Sequence, residues 1–257
     1  LQGALEASNL TNFGTLHVSG PDARFPLNTN VYNTGTGLIE VVEGAQSGTV
    51  VFLTNEGTVA VRGGSRFVTS MPAGNAGVID IASGSALVAW SGDFDNRGTI
   101  RGQGEFSGPS TLRNFGTIEA GTAMDSLDIV GNLSLMAGGE LVVELDTFGT
   151  LAPITVQGMV DFAGTLRVRN GGVPLEVGSA LRVLASQGYG TGGQTFDQIV
   201  FEGFGAGVVL TPEYDAGQMR LRVAAVPEPG TYALFGVGGL LLVWSQRRGR
   251  ALTSPRV

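Results

Sequence analysis

The sequence predicts an all-β protein: a parallel β-helix (solenoid) with irregular C-terminal capping strands, plus one short C-terminal transmembrane helix. Three observations predict it. Between residues 12 and 116 the pattern Asn-x-Gly recurs six times, at steps of 21, 22, 20, 21 and 18 residues. Most copies launch a short stretch in which apolar residues alternate with others, the two-residue period of a strand. Glycine supplies 42 of the 257 residues and only 14% are charged, a composition suited to short strands and tight turns rather than long helices.

The repeats come first in the chain. The six copies are Asn12–Gly14, Asn33–Gly35, Asn55–Gly57, Asn75–Gly77, Asn96–Gly98 and Asn114–Gly116. Thr follows in five of them and Val78 in the sixth. Four and six residues after the Asn come Leu16/Val18, Val59/Val61, Ile79/Ile81, Ile100/Gly102 and Ile118/Ala120. The Asn33 copy, "NTGTGLIEVVEG", gains a glycine and shifts its apolar residues. A second apolar run precedes several copies, as in "GTVVFLT" and "SALVAW". Each period therefore holds at least two strands and no helix, which is one coil of a solenoid. A single coil cannot bury its apolar face; stacking makes a continuous core.

Roles for the repeated residues follow. Glycine at the third position is expected to supply positive φ at a sharp corner. Thr opens the next strand, where β-branching fits. Asn tolerates a left-handed turn, and stacked copies can hydrogen-bond as a ladder. A run of antiparallel hairpins is the alternative, but hairpin turns favour adjacent Asn-Gly, and here a residue always intervenes. The "N-x-G-T-apolar" corners over residues 9–120 resemble the passenger-type β-helices of bacterial autotransporters and filamentous-haemagglutinin-like adhesins.

From residue 125 the alternation continues with longer connections, as in "DSLDIVGNLSLMAGGELVVELD" and "FDQIVFEGFGAGVVLTPEYDAGQMRLRV". The expected organisation is a repeat region over 1–124, terminal coils and a β cap over 125–224, and a signal segment over 225–257. A cap is required because an open coil end exposes unpaired backbone groups.

The signal segment has four parts: Val226-Pro227-Glu228-Pro229, Gly230-Thr231, thirteen uncharged residues from Tyr232 to Trp244, and Arg247, Arg248 and Arg250. Thirteen helical residues span about 20 Å, short of the roughly 30 Å hydrocarbon core. The flanking Tyr232 and Trp244 and the arginine stop nevertheless read as interface anchors. Snorkelling arginines and local thinning accommodate a transmembrane segment over 231–246. This block resembles the PEP-CTERM sorting signal of Gram-negative bacteria. The tail "ALTSPRV" departs from that pattern, which usually stops close to the arginines. The resemblance implies recognition and cleavage near Pro-Glu-Pro by an exosortase-type transpeptidase in the inner membrane. It further implies export to the envelope, surface or extracellular matrix, with exopolysaccharide or other cell-surface components as further partners. Carriers usually have an N-terminal secretion signal as well; the opening "LQGALEASNL" shows none, and reads as a fragment or processed form.

Composition removes several chemistries. There is no Cys, no Lys and a single His, so thiolate sites, Schiff bases and His-based metal sites or triads are not expected. Residues 1–231 carry all 22 acidic residues and 11 of the arginines, an acidic body that argues against nucleic acid. His17 alternates with inward-facing Leu16 and Val18 and is expected at the surface. "GYGTGG" at 188–193 fits Gly-x-Gly-x-x-Gly but precedes a strand pattern, not the helix that dinucleotide binding needs. Asp93 and Asp95, and Asp125 and Asp128, offer oxygen ligands for Ca²⁺, with solvated turn carboxylates as the simpler reading. Neither a metal nor a cofactor is expected. Asn9-Leu10-Thr11 and Asn132-Leu133-Ser134 are glycosylation sequons in form, read as chance. Arg62 and Arg101 fall on neighbouring faces with no acid cluster joining them. The expected function is a non-enzymatic surface or matrix protein, structural or adhesive. The alternatives are a secreted β-helix polysaccharide lyase or hydrolase, which needs clustered carboxylates on one face, and a membrane-anchored protein that is never sorted.

Overall fold

The computed structural model describes residues 8–225, apart from 24–27, 72–73, 121–125, 146–150, 152, 193 and 206. The segment 226–257, with its expected transmembrane helix, and Asp125 lie outside the described residues. No described helix is long and apolar enough to cross a membrane.

The chain winds into a parallel β-solenoid. One sheet stacks nine strands, one per coil, from Thr15–Ser19 at one end to Gln198–Glu202 at the other, each parallel to the next. A second, fifteen-stranded sheet is split lengthwise into two faces. Strand Glu105–Asn114 shows the split: its first half pairs with Ala86–Ala89 and its second with Phe94–Asn96. Each full coil therefore turns three times around one core. Parallel pairing is what a coil produces, and the hairpin alternative would have given antiparallel neighbours.

Side chains at one register position stack into columns. Ile39, Val59, Ile79, Ile100, Ile118, Leu141 and Leu166 follow one another along the nine-stranded sheet, all fully buried. The end members, Leu16 and Ile199, are only partly buried because a coil packs on one side alone. Burying each such side chain contributes about 1.5–3 kcal/mol, so the core grows by addition along the axis. Pairing runs across 121–125 without a break, since Glu105–Asn114 also pairs with Asp128–Leu135.

The fold ends in two antiparallel strands. Gln218–Ala225 pairs with Ala180–Ala185, and Val208–Asp215 lies outside it. Phe162 anchors this cap beneath Tyr189, Phe196 and Tyr214, with ring centroids 5.0–5.5 Å away. Such offset and edge contacts are favourable aromatic geometries.

Two expectations about the corners need correction. The glycines do not supply positive φ: none of Gly14, Gly35, Gly57, Gly77, Gly98 and Gly116 has it, and neither do the repeated asparagines. Glycine is needed because the corners touch. A Cβ on Gly57 would lie 2.2 Å from the carbonyl oxygen of Gly37, on Gly77 2.0 Å from Gly57, on Gly98 2.0 Å from Gly77, and on Gly116 2.2 Å from Gly98. Those carbonyls accept N–H bonds from the next coil, as in Val78 N to Gly57 O at 2.8 Å. The second correction concerns the loose copy. Gly35 has open space around it, and Gly37 holds the stacked position, between Gly14 and Gly57. Thr34 N still bonds Asn12 O, as Glu56 N bonds Asn33 O, so the inserted pair is Gly35-Thr36, which bulges outward, and the register resumes at Leu38.

Candidate functional site

Each repeated Asn ends the strand before the corner and turns its amide inward. Asn33, Asn55, Asn75, Asn96 and Asn114 are at most 2% exposed. The Nδ2 of Asn12 donates to Oδ1 of Asn33 at 2.8 Å, and the same link at 2.7 Å joins Asn33 to Asn55, Asn55 to Asn75, Asn75 to Asn96, and Asn96 to Asn114. From Asn33 on, each Nδ2 also reaches two carbonyls, and that of Asn12 reaches Leu38 O at 3.0 Å. Asn75 bonds Gly77 O and Thr99 O, both at 3.2 Å, and Asn114, the last member, bonds Gly116 O at 3.0 Å and Glu140 O at 3.2 Å. A buried amide without partners costs about 1–3 kcal/mol; here every group is used. The column is a structural spine, and it fixes which residues come together outside.

The residue before each Asn points outward. In axial order these are Thr11, Tyr32, Thr54, Gly74, Asp95 and Arg113. Gly74 interrupts the row, and a hollow of about 360 Å³ lies over it, lined by Thr54, Glu56, Asp93, Asp95, Arg97 and Arg113 among others. Its charges are paired. Arg113 Nε donates to Asp95 Oδ1 at 2.7 Å and its Nη1 lies 3.6 Å from Asp93 Oδ2. Arg97 Nη2 is 3.5 Å from Asp95 Oδ2, and its guanidinium lies 4.5 Å over the Phe115 ring. The Thr111 N–H donates to Asp93 Oδ1 at 3.2 Å. Tyr32 donates its hydroxyl to Glu56 Oε2 at 2.7 Å, and that bond holds the phenol pKa above its ordinary value.

The structure gives the other sequence-selected residues these places. Asp93 and Asp95, considered for calcium, face arginines. Asp128 accepts from the Ser126 hydroxyl. No group of three or more His, Cys, Asp or Glu set to hold a metal occurs among the described residues. Arg62 and Arg101 share one face, not neighbouring ones, and flank Asp80, whose Oδ2 they approach to 2.8 and 3.5 Å. His17 is on the surface, its Nδ1 3.2 Å from Glu40 Oε2. In "GYGTGG", the Gly192 N–H donates to Asp161 Oδ1 at 2.8 Å and the next element is strand Gln198–Glu202. Sequence reasoning passed over Tyr32, Glu56, Gly74, Arg97 and Arg113. A signal for three of them was present: Tyr32, Gly74 and Arg113 each immediately precede a repeated Asn.

Fold and sequence together define a β-solenoid whose capping strand ends at Ala225, where the signal segment begins. Residues 225–248 match the family model described as the PEP-CTERM protein-sorting motif. The match takes in Val226–Thr231, Arg247 and Arg248; Arg250 lies two residues beyond it. A PEP-CTERM motif is the recognition signal of an exosortase, so it implies that kind of partner and export toward the cell envelope or surface of a Gram-negative bacterium. No curated protein matches this chain.

Proposed function

We propose that the protein is a non-enzymatic component of the cell surface or biofilm matrix. Its solenoid is a stiff spacer with an adhesive or structural face, and its C-terminal signal is processed by an exosortase in the inner membrane. The observation that carries this is adjacency: a solenoid built on one continuous apolar core is capped at Ala225 and passes directly into the sorting motif. The alternative, a polysaccharide-cleaving enzyme, asks for carboxylates available for proton transfer or attack. Asp80, Asp95 and Glu140 are each held by arginines instead, Glu140 through Arg167 Nε at 2.7 Å. That pairing favours the spacer.

The test replaces Pro227, Glu228 and Pro229 with alanine in the native host. The parent chain should be open to protease on intact cells and should lack the Arg247–Arg250 tail by mass spectrometry. The variant should keep that tail and stay with the inner membrane. An intact tail on the surface-exposed parent chain would remove the processing step and leave an anchored protein. Reducing sugar released from an exopolysaccharide panel, and abolished by one acidic substitution, would replace the spacer with the enzyme.

A further inference from the structure

We infer that the hollow over Gly74 is a saccharide subsite, taking one ring of a neutral polysaccharide laid along the solenoid axis. This rests on the surface reading and names its ligand class. The first support is the glycine itself. The corner glycines are forced by contact, but Gly74 is not: its φ is outside the left-handed region, and a Cβ there would meet only the Asp95 carbonyl oxygen, at 3.9 Å. Nothing in the fold calls for glycine at this place, and its missing side chain is what opens the hollow between Thr54 and Asp95.

The second support is the chemistry of the walls. Two guanidinium groups face three carboxylates, those of Glu56, Asp93 and Asp95. A polyanion is repelled by the acids and a cation by the arginines. An apolar ligand would strip water from these groups and return no hydrogen bonds, which is costly. A polyol is uncharged, donates to carboxylates and accepts from guanidinium. Arg113 and Arg97 hold Asp95 from two sides, so the polar groups are positioned before the ligand arrives, which lowers the ordering cost of binding.

The third support is an exposed apolar patch on the adjoining bend. Trp90, 57% exposed, lies three residues before Asp93, and Met71 and Phe52 are exposed on the two coils before it. Backbone bonds set its register at 2.9 Å: Met71 N donates to Val51 O, which stacks Met71 on Phe52, and Trp90 N donates to Thr69 O, which seats Trp90 over Ser70, one position from that pair. A pyranose has an apolar C–H face and a hydroxyl rim, which suits an aromatic platform beside a polar hollow. Coils repeat about every 4.8 Å, close to the length of one sugar residue, so a chain along the axis keeps step with the rungs.

The full chain, in nonionic detergent, is run by native affinity electrophoresis through gels containing dextran, barley β-glucan or hydroxyethyl cellulose, with alginate as the polyanion. Retardation by at least one neutral polysaccharide is expected. Gly74→Phe and Trp90→Ala should each weaken it about tenfold or more, and Phe201→Ala, at an exposed aromatic in the last strand of the nine-stranded sheet, should not. Unchanged circular dichroism and melting confirm the fold of each variant; if Gly74→Phe misfolds, Trp90→Ala and Arg97→Ala decide. No retardation in any neutral gel, retardation by alginate alone, or decisive variants that bind as the parent does would overturn the inference. Protease accessibility on whole cells is read separately. A chain that binds glycan but stays inside the cell defeats the surface reading and keeps the subsite; a surface chain that binds none does the reverse.

Discussion

The coils up to Asn114 and those after it line the same corner in two ways. Before Asn114 the corner holds a hydrogen-bonded column of amides. After it, Leu135 takes the register position of Asn114, and Phe162 follows on the next coil, both 3% exposed. The glycine stack runs through both regions: a Cβ on Gly139 would lie 2.4 Å from Asn114 O, and one on Gly164 2.3 Å from Gly139 O. Close backbone approach is therefore the constant requirement, joined at Gly164 by a φ of 66° that the earlier corners lack, and the filling of the corner is the variable one. An amide column admits one register, because every link needs its neighbour at hydrogen-bond distance. An apolar corner has no such demand, and its coils lengthen, to 23 residues from Gly116 to Gly139 and 25 from Gly139 to Gly164.

The largest effect tests the constant. Gly77→Ala drives a methyl into Gly57 O and should destabilise the fold by about 4 kcal/mol or more. Gly14→Ala, at a corner with nothing within 4 Å, should stay within about 0.5 kcal/mol. Equal costs in denaturant titration would break the contact argument. Next comes the variable. Asn75→Ala cuts a link on each side and leaves buried amide groups without partners, for about 3 kcal/mol. Asn114→Ala, with an amide neighbour on one side only, should cost about half as much. A reversed order would mean that the ladder is not the source of the stability.

The smallest effect is confined to the cap. Burial raises the phenol pKa values of Tyr189 and Tyr214 above 10.0. The folded state thus holds these protons more tightly than the unfolded chain. Their contribution is complete below pH 10 and is lost as pH climbs through the raised values. Tyr32 also titrates high, but its ionisation only releases a surface bond to Glu56. Melting midpoints from pH 8 to 11 should fall at the alkaline end, and the fall should flatten in the Tyr189→Phe, Tyr214→Phe double variant. An unchanged slope would place the alkaline sensitivity elsewhere.

The period, the strand positions and the ladder were legible because each is written in residues about twenty apart with a fixed phrase. The reason for glycine was not. A corner that needs positive φ and a corner that touches its neighbour select the same residue, and only coordinates separate them. The Gly35-Thr36 insertion hid Gly37 for a related reason, since counting from Asn33 assumes that no residue loops out. The pairing of Arg62 and Arg101 through Asp80, and the hollow at Gly74, depend on which coil positions become neighbours. That was fixed only once the register was known. Past residue 125 the phrase vanishes because the apolar corner imposes no spelling.

The outer edge of the cap also bears on crowding. A stack of parallel rungs is a template on which another chain can grow, and proteins concentrated at a surface meet one another's ends often. Here Gln218–Ala225 runs against the rungs, and the outermost strand, Val208–Asp215, carries Pro212, which has no N–H to offer. Charged Glu213 sits beside it. These are recognised blocks to edge-to-edge growth. They oppose fibre formation from that end of the sheet.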